Sequence, residues 1–539
     1  MIRTARLRTV LAASVALSAT LSLGLLASAA APMFFPDDPL WVETDTQDAS
    51  ALEMLEVDLT TDLAYNFLQG FRGSRDVRAA NVNTVDEVPD SSWYTNRAGR
   101  LVLTPDRVAR GPNTTAGPAA GTWTISSSKS DGVTPGFTVK DATGQRWFLK
   151  FDPRGYRAMA TGTEVAVTKL MWALGYHVAE NHIAYLRREQ LLLSETAKYT
   201  PPGGTSRPMR PADVDALLAR ADREPDGSYR VVASKALEGK PVGRIRFFDT
   251  RPDDPNDIVP HEHRRELRGY GVFAAWLDHV DAKAINSLDT LVTRDGRSFV
   301  RHNLIDFGST LGSGGVAPSE MWEGSEYMFE PKAVAKRIIG FGLNAPSWQR
   351  VAYYETPSIG RMAAHNANFD PRTWKPRVPN QAFMHARPDD QFWAATKLMA
   401  ISTEMIRAAV RTGEFNDPQA EAFLVRALAE RRDAIGRTFL TGVNPIVNPA
   451  LSADGELTFA NAAVDADFTH APREYRAVWA SFDNASRASR VLGVSASPET
   501  TVQAPFALPA TDGAFLKVQL SSDGAAFDAW SVPVDAYFQ

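Results

Sequence analysis

The chain of 539 residues contains no cysteine. That excludes disulfides, a thiol nucleophile, a cysteine-based zinc site and lipidation at an N-terminal Cys. It also lacks an excess of either charge: 58 Lys and Arg face 63 Asp and Glu, a net charge of −5. Composition therefore gives no reason to expect nucleic acid or an anionic membrane surface as a partner. Apart from the N-terminus there is no long apolar run, so no stable membrane span is expected after signal cleavage. The Walker loop, G-x-S-x-G, H-E-x-x-H and the EF-hand loop are missing as well, which removes the main rival enzyme classes readable from local sequence.

What is present describes an ordinary globular protein, 44% hydrophobic and 22% charged, too long for one compact core. Arg3, Arg6 and Arg8 precede an apolar run from Leu11 to Leu26, and Ala27-Ser28-Ala29 supplies a small-x-small cleavage pattern. Residues 1–29 read as a signal peptide cleaved near Ala29, with an uncleaved anchor as the alternative. A cysteine-free exported chain fits a bacterial envelope, periplasmic or extracellular.

The stretch from His279 to Gly308 organises the rest. His279-Val-Asp281-Ala-Lys283-Ala-Ile-Asn286 forms an H-x-D-x-K-x-x-N pattern, and Asp306-Phe307-Gly308 follows. Between them, Leu288 to Thr293 and Ser298 to Ile305 are β-prone runs flanking Arg294-Asp-Gly296, which predicts a hairpin and makes the two pieces neighbours in space. Upstream, Trp123 to Ser127, Phe137 to Lys140 and Arg146 to Phe151 read as a three-strand meander, with Phe148 and Lys150 on one face. A helix from Thr163 to Leu174 carries one acidic residue, Glu164, and the strands His182 to Leu186 and Tyr229 to Ser234 follow.

This layout resembles the catalytic and metal-binding loops of the protein-kinase superfamily, in the form of an atypical exported bacterial kinase-like protein. The resemblance covers roughly residues 120 to 440. It implies that Asp281 accepts the proton of the acceptor hydroxyl, that Lys283 neutralises the transferring phosphoryl group, and that Asn286 and Asp306 hold Mg2+ or Mn2+. It implies equally that Lys150 holds the phosphates of ATP and pairs with Glu164. In place of a G-x-G-x-x-G, Ser126-Ser-Ser128-Lys-Ser-Asp-Gly132-Val-Thr-Pro-Gly136 joins the first two strands. Its backbone N–H groups and hydroxyls, Ser128 among them, are the candidate phosphate cradle, and a plain hairpin loop is the alternative. Val280 stands where many kinases carry an Arg, and no A-P-E follows, which argues against an activation-loop phosphorylation switch.

The expected fold is α+β: a two-lobed protein-kinase-like core with an N-terminal extension and a C-terminal all-β, sandwich-like domain. The expected divisions are an extension over 30–118, a small lobe over 119–250 with an insertion at 196–226, a large lobe over 251–444 and a β-rich domain over 445–539. In the large lobe, helices are expected over Glu262 to His279, Gln391 to Thr412 and Pro418 to Phe439. His261 and His263 read as exposed residues at the first helix start rather than metal ligands. Met321 to Pro388, rich in aromatics and Pro, either shapes an acceptor pocket or packs.

The expected activity is ATP- and metal-dependent phosphoryl transfer to an unidentified protein or glycan acceptor. Two alternatives on the same fold stay open, a pseudoenzyme scaffold and a nucleotidyltransferase performing AMPylation, beside a structural envelope protein that binds glycans.

Overall fold

The computed structural model describes residues 42–70, 76–129, 134–201, 204–339, 345–508 and 515–539. The expected signal peptide and residues 130–133 of the loop after the first strand lie outside them.

The chain first forms helix α1 (Leu59–Gly70) and later the short helix α2 (Pro105–Arg110). The meander follows as β1 (Trp123–Ser128), β2 (Gly136–Lys140) and β3 (Arg146–Phe151). Next come α3 (Met159–Ala173), β4 (His177–Val178), β5 (Asn181–Leu186), β6 (Leu191–Tyr199), β7 (Arg207–Pro208), a helix α4 (Pro211–Leu218) and β8 (Tyr229–Lys235). Seven of these strands make one sheet in the order β5-β8-β3-β2-β1-β6-β7. Its inner face is an apolar core of Trp123, Ile125, Phe137, Trp147, Leu149, Phe151 and their neighbours. Strand β6 runs parallel to β1 and has no counterpart in the sequence expectations.

A second group of elements begins with β9 (Lys240–Gly243) and α5 (Arg265–Leu277). The hairpin β10 (Ser287–Arg294) and β11 (Arg297–Leu304) joins β9 and β4 in a sheet ordered β4-β11-β10-β9. Helix α6 (Pro331–Ile339) and the ribbon β12 (Tyr353–Thr356) and β13 (Gly360–Ala363) precede the closing helices α7 (Pro388–Met399), α8 (Thr403–Arg411) and α9 (Pro418–Leu440). The expected continuous helix from Gln391 to Thr412 is thus two helices. Ser402 interrupts it by capping α8, its Oγ accepting from the Met405 amide at 3.3 Å. The helix expected over 262–279 is shorter at both ends, because His261–His263 form a 3-10 turn and Asp278 ends it in the left-handed region at φ 52°. His261 is buried rather than exposed, and its Nε2 lies 2.7 Å from Asp257 Oδ2.

The C-terminal residues form two sheets. One contains β14 (Ile446–Leu451), β15 (Glu456–Asn461) and the short β18 (Thr501–Gln503); the other is ordered β17 (Ser489–Ser497), β16 (Glu474–Phe482), β19 (Phe515–Asp523), β20 (Val534–Phe538). Leu457 and Phe459 from the first sheet and Trp479, Val518 and Leu520 from the second share one apolar core. Within this β-rich region Asp528–Ser531 form a 3-10 turn that buries Trp530 in the core of the helical lobe. Helix-rich lobe, small sheet lobe and paired C-terminal sheets make this an α+β protein with a two-lobed core. Among the described residues no helix is long and apolar enough to cross a membrane.

Candidate active site

The hairpin sets the site. Arg294 pairs with Arg297, so the turn is the two residues Asp295 and Gly296, at φ 51° and 76°, as the type I′ turn requires. That register pairs Ser287 with Leu304 at the far end, and the Ile305 amide donates to the Asn286 carbonyl at 3.0 Å. The two motifs are therefore held side by side at the hairpin base. Asp306 itself sits at φ 62°, a conformation a non-glycine residue adopts at a cost and one that concentrates at functional sites.

From the small lobe, the alternation of β3 sends Trp147, Leu149 and Phe151 into the core and leaves Phe148 and Lys150 on the opposite face. Lys150 Nζ lies 3.0 Å from Glu164 Oε2 and 2.8 Å from Asp306 Oδ1. Glu164 reaches it because α3 starts four residues earlier than its sequence pattern indicates. The starting signal is Asp152, whose carboxylate accepts from the amides of Ala158 and Thr161, each at 2.9 Å. This puts Glu164 in the second helical turn, where its carboxylate is almost fully buried. Gly308 packs against it: a Cβ there would stand 3.3 Å from Glu164 Oε2.

On the large-lobe side, Asn286 Nδ2 donates to the Asp281 carbonyl at 2.7 Å and to Asp281 Oδ2 at 2.9 Å. Lys283 Nζ is 2.8 Å from Asp281 Oδ1. His279 is buried between Tyr270 and Phe307; burial pushes its imidazole down to about 4 against the pull of Asp281, so it is neutral at physiological pH. Burial works against the Lys150 ammonium, yet the carboxylates of Asp306 and Glu164 outweigh it and hold this lysine above the usual range. Burial opposes the Asp306 charge too, and Lys150, with Lys129 behind it, overrides that and lowers the carboxyl to about 2.

All seven residues singled out from the sequence, Ser128, Lys150, Glu164, Asp281, Lys283, Asn286 and Asp306, line one cleft of about 550 Å³ between the lobes. Ser128 differs from the rest. It is buried at the end of β1, and its Oγ accepts from the Thr200 amide at 3.1 Å. Its hydroxyl oxygen is thereby committed to the chain beyond β6.

Six cationic side chains, Lys129, Lys150, Lys235, Arg244, Lys283 and Arg377, line the cleft against the three carboxylates Glu164, Asp281 and Asp306. That surplus suits a polyphosphate. The donor set for a cation consists of hard oxygens. Asn286 gives its amide hydrogens to Asp281, which turns the amide oxygen away as an acceptor, and the Asp306 side chain is 36% exposed. Among the described residues no three His, Asp or Glu groups converge as a self-sufficient metal cage. One carboxylate plus one amide oxygen fits Mg2+ or Mn2+ shared with substrate phosphates rather than a preformed protein site.

Two contributions escape sequence reasoning. Arg377, from the irregular region before α7, places Nη1 3.5 Å from Asp281 Oδ1, and no local motif surrounds it. Arg244 donates to the Ile285 carbonyl and thereby braces the segment between Lys283 and Asn286.

No family model matches the chain, and no curated protein matches it. Among solved structures it is similar to a Helicobacter pylori proinflammatory kinase, CtkA, at 13% identity over 58% of this chain and 94% of that one, with a TM-score of 0.28. It is similar also to the Golgi casein kinase, at 10% identity over 75% of this chain and 95% of that one, with a TM-score of 0.31. The same kinase solved with Mn/ADP bound gives 11% identity, coverages of 75% and 96%, and a TM-score of 0.29.

Proposed function

We propose that this chain is an exported phosphotransferase of atypical kinase type, moving the γ-phosphoryl group of ATP to a hydroxyl of a protein or carbohydrate acceptor. The observation that carries the reading is the junction at Lys150, whose one ammonium joins Glu164 of α3 to Asp306 of the catalytic hairpin. A lysine held charged in this way, beside a carboxylate and an amide oxygen, is a device for binding a polyphosphate with its cation.

In the reaction the acceptor oxygen forms a bond to the γ-phosphorus, the bond to the β–γ bridging oxygen breaks, and ADP leaves. Asp281 takes the acceptor proton and Lys283 balances charge on the transferring group. Lys150 holds the phosphates with Glu164 as its partner. Asn286 and Asp306 would hold Mg2+ or Mn2+, which supplies charge neutralisation on the phosphate oxygens. To do so Asp306 gives up its contact with Lys150, and the phosphates replace it on the ammonium.

The export reading is supported by residues 1–29 alone. Acceptor chemistry is open, and label transfer tests the reaction type. Purified protein incubated with ATP labelled at the γ- or the α-phosphate, against envelope extract, is expected to move only the γ label, and Asp281→Ala is expected to move neither. Transfer of the α label would identify nucleotidyl transfer and sink the phosphoryl reading. Transfer of neither label, with nucleotide bound, would leave the scaffold.

A further inference from the structure

Arg377 has no role in the motifs, yet its setting is built. Its amide donates to the Val280 carbonyl and its carbonyl accepts from the Met328 amide, both at 2.7 Å, so its backbone is stitched to the residue before Asp281. Nε donates to Glu323, a carboxylate with 4% of its side chain exposed, which fixes the plane of the guanidinium. Nη1 faces Asp281 Oδ1, and among the described residues Nη2 donates to no protein group. The side chain lines the cleft and is 21% exposed. A buried carboxylate spent on orienting a cleft-lining arginine whose Nη2 is left without a protein acceptor is the arrangement of a preorganised anion donor.

Building on the phosphotransferase reading, we propose that Arg377 is a catalytic cation supplied in cis, donating through Nη1 and Nη2 to the phosphoryl group as it passes from ADP to the acceptor. Asp281 faces two cations, Lys283 and Arg377, on one carboxylate oxygen. Arg377 is the one with a further nitrogen, Nη2, that donates to no protein group among the described residues. Glu323 acts as its positioning residue.

The test compares binding of ADP with Mg2+ in the absence and presence of aluminium fluoride, a planar mimic of the transferring group, by calorimetry. Wild type is expected to bind the fluoride complex at least about tenfold more tightly than ADP with Mg2+. Arg377→Gln is expected to lose that gain while keeping its ADP affinity within about twofold, a split that a merely structural residue does not produce. Arg377→Lys keeps the charge and drops the fork, and is expected to keep the melting temperature and lose most of the gain. Glu323→Gln is expected to fall between the two. A wild type that gains nothing from fluoride, or an Arg377→Gln that keeps the gain or weakens both complexes equally, overturns the assignment and leaves the nucleotide site standing. A wild type that binds no ADP with Mg2+ overturns the phosphotransferase reading beneath it.

Discussion

Lys150, Glu164 and Asp306 form a chain of charges whose pH response is directional. The Asp306 carboxyl is lowered to about 2 from its ordinary 3.8 by Lys150, so the ionised form is favoured by folding. Its contribution is complete above 3.8 and disappears as pH falls toward 2. Melting temperatures of wild type and Asp306→Asn are therefore expected to differ by a constant amount above about pH 5 and to converge below about pH 4. A gap that persists to pH 2 would mean that the ion pair is not its source. Of the cleft residues, Asp281, Lys283 and Asp306 are legible in sequence because they stand in short patterns of fixed spacing, H-x-D-x-K-x-x-N and D-F-G. Arg377 is not: it lies 96 residues beyond Asp281 and is brought there by a backbone hydrogen bond to Val280.

Among the elements, α3 decides whether Glu164 can leave Lys150. Fourteen of its fifteen residues are buried, so it cannot swing outward without dismantling the core around it. On one side Lys169 Nζ donates to the Arg110 carbonyl of α2 at 3.1 Å. On the other, the buried Arg230 of β8 donates to Thr161 Oγ1 at 2.9 Å and to the carbonyls of Gly413 and Glu414 beyond α8. Gly162 meets the same segment, where a Cβ would lie 2.8 Å from the Gly413 carbonyl. Gly162→Ala is expected to cost about 1–3 kcal/mol in denaturant unfolding and to weaken ATP binding by shifting α3 off Lys150. Unchanged stability with unchanged affinity would show that this contact has slack.

Lys169 makes a second test of the same packing. Burial lowers its ammonium from the ordinary 10.5 to about 7, with Glu180 pulling the other way. The unfolded chain then binds more protons between those values, so stability rises with pH from 7 toward 10.5. The melting temperature of wild type is expected to climb over that range relative to Lys169→Met; parallel curves would place Lys169 in water. The body of α3 is readable from its sequence, whereas its start is not, since the capping carboxylate is Asp152, six residues before Ala158. For the same reason Gln391 to Thr412 reads as one helix. Its apolar period continues through Ser402, and only the cap geometry divides it.

At the scale of the molecule, the stretch before β1 and the C-terminal sheets are both fastened to the helical lobe. Arg265 and Asp390, both fully buried, pair at 3.0 Å, and Arg268 reaches the same carboxylate at 2.9 Å. The Arg265 amide, at the first position of its helix, donates to Asn81 Oδ1 at 2.9 Å, which ties in the N-terminal stretch. Asp390→Ala takes the shared carboxylate from both, leaving Arg265 with Asp86 and Asp389 and Arg268 with no carboxylate partner among the described residues, and is expected to cost about 3–5 kcal/mol in denaturant unfolding. Trp530 carries the C-terminal sheets into the main core with no exposed surface. Trp530→Ala is expected to cost about 3–5 kcal/mol in denaturant unfolding while leaving ATP affinity unchanged, because no residue of those sheets lines the cleft. A loss of affinity would instead couple the C-terminal sheets to the site. The alternating β runs there are visible in sequence; the 3-10 turn that docks Trp530 is not, since its apolar residues serve the neighbouring core rather than a sheet face.

The central claim is a nucleotide–cation site built on Lys150 and Asp306. Its most direct test is the melting temperature of the purified protein with millimolar ATP and Mg2+ or Mn2+, against Asp306→Ala, since a ligand that binds only the folded state must raise it. A rise is expected that needs both nucleotide and cation and is lost in the variant. A folded wild type with no rise, or a rise retained in full by Asp306→Ala, would contradict it.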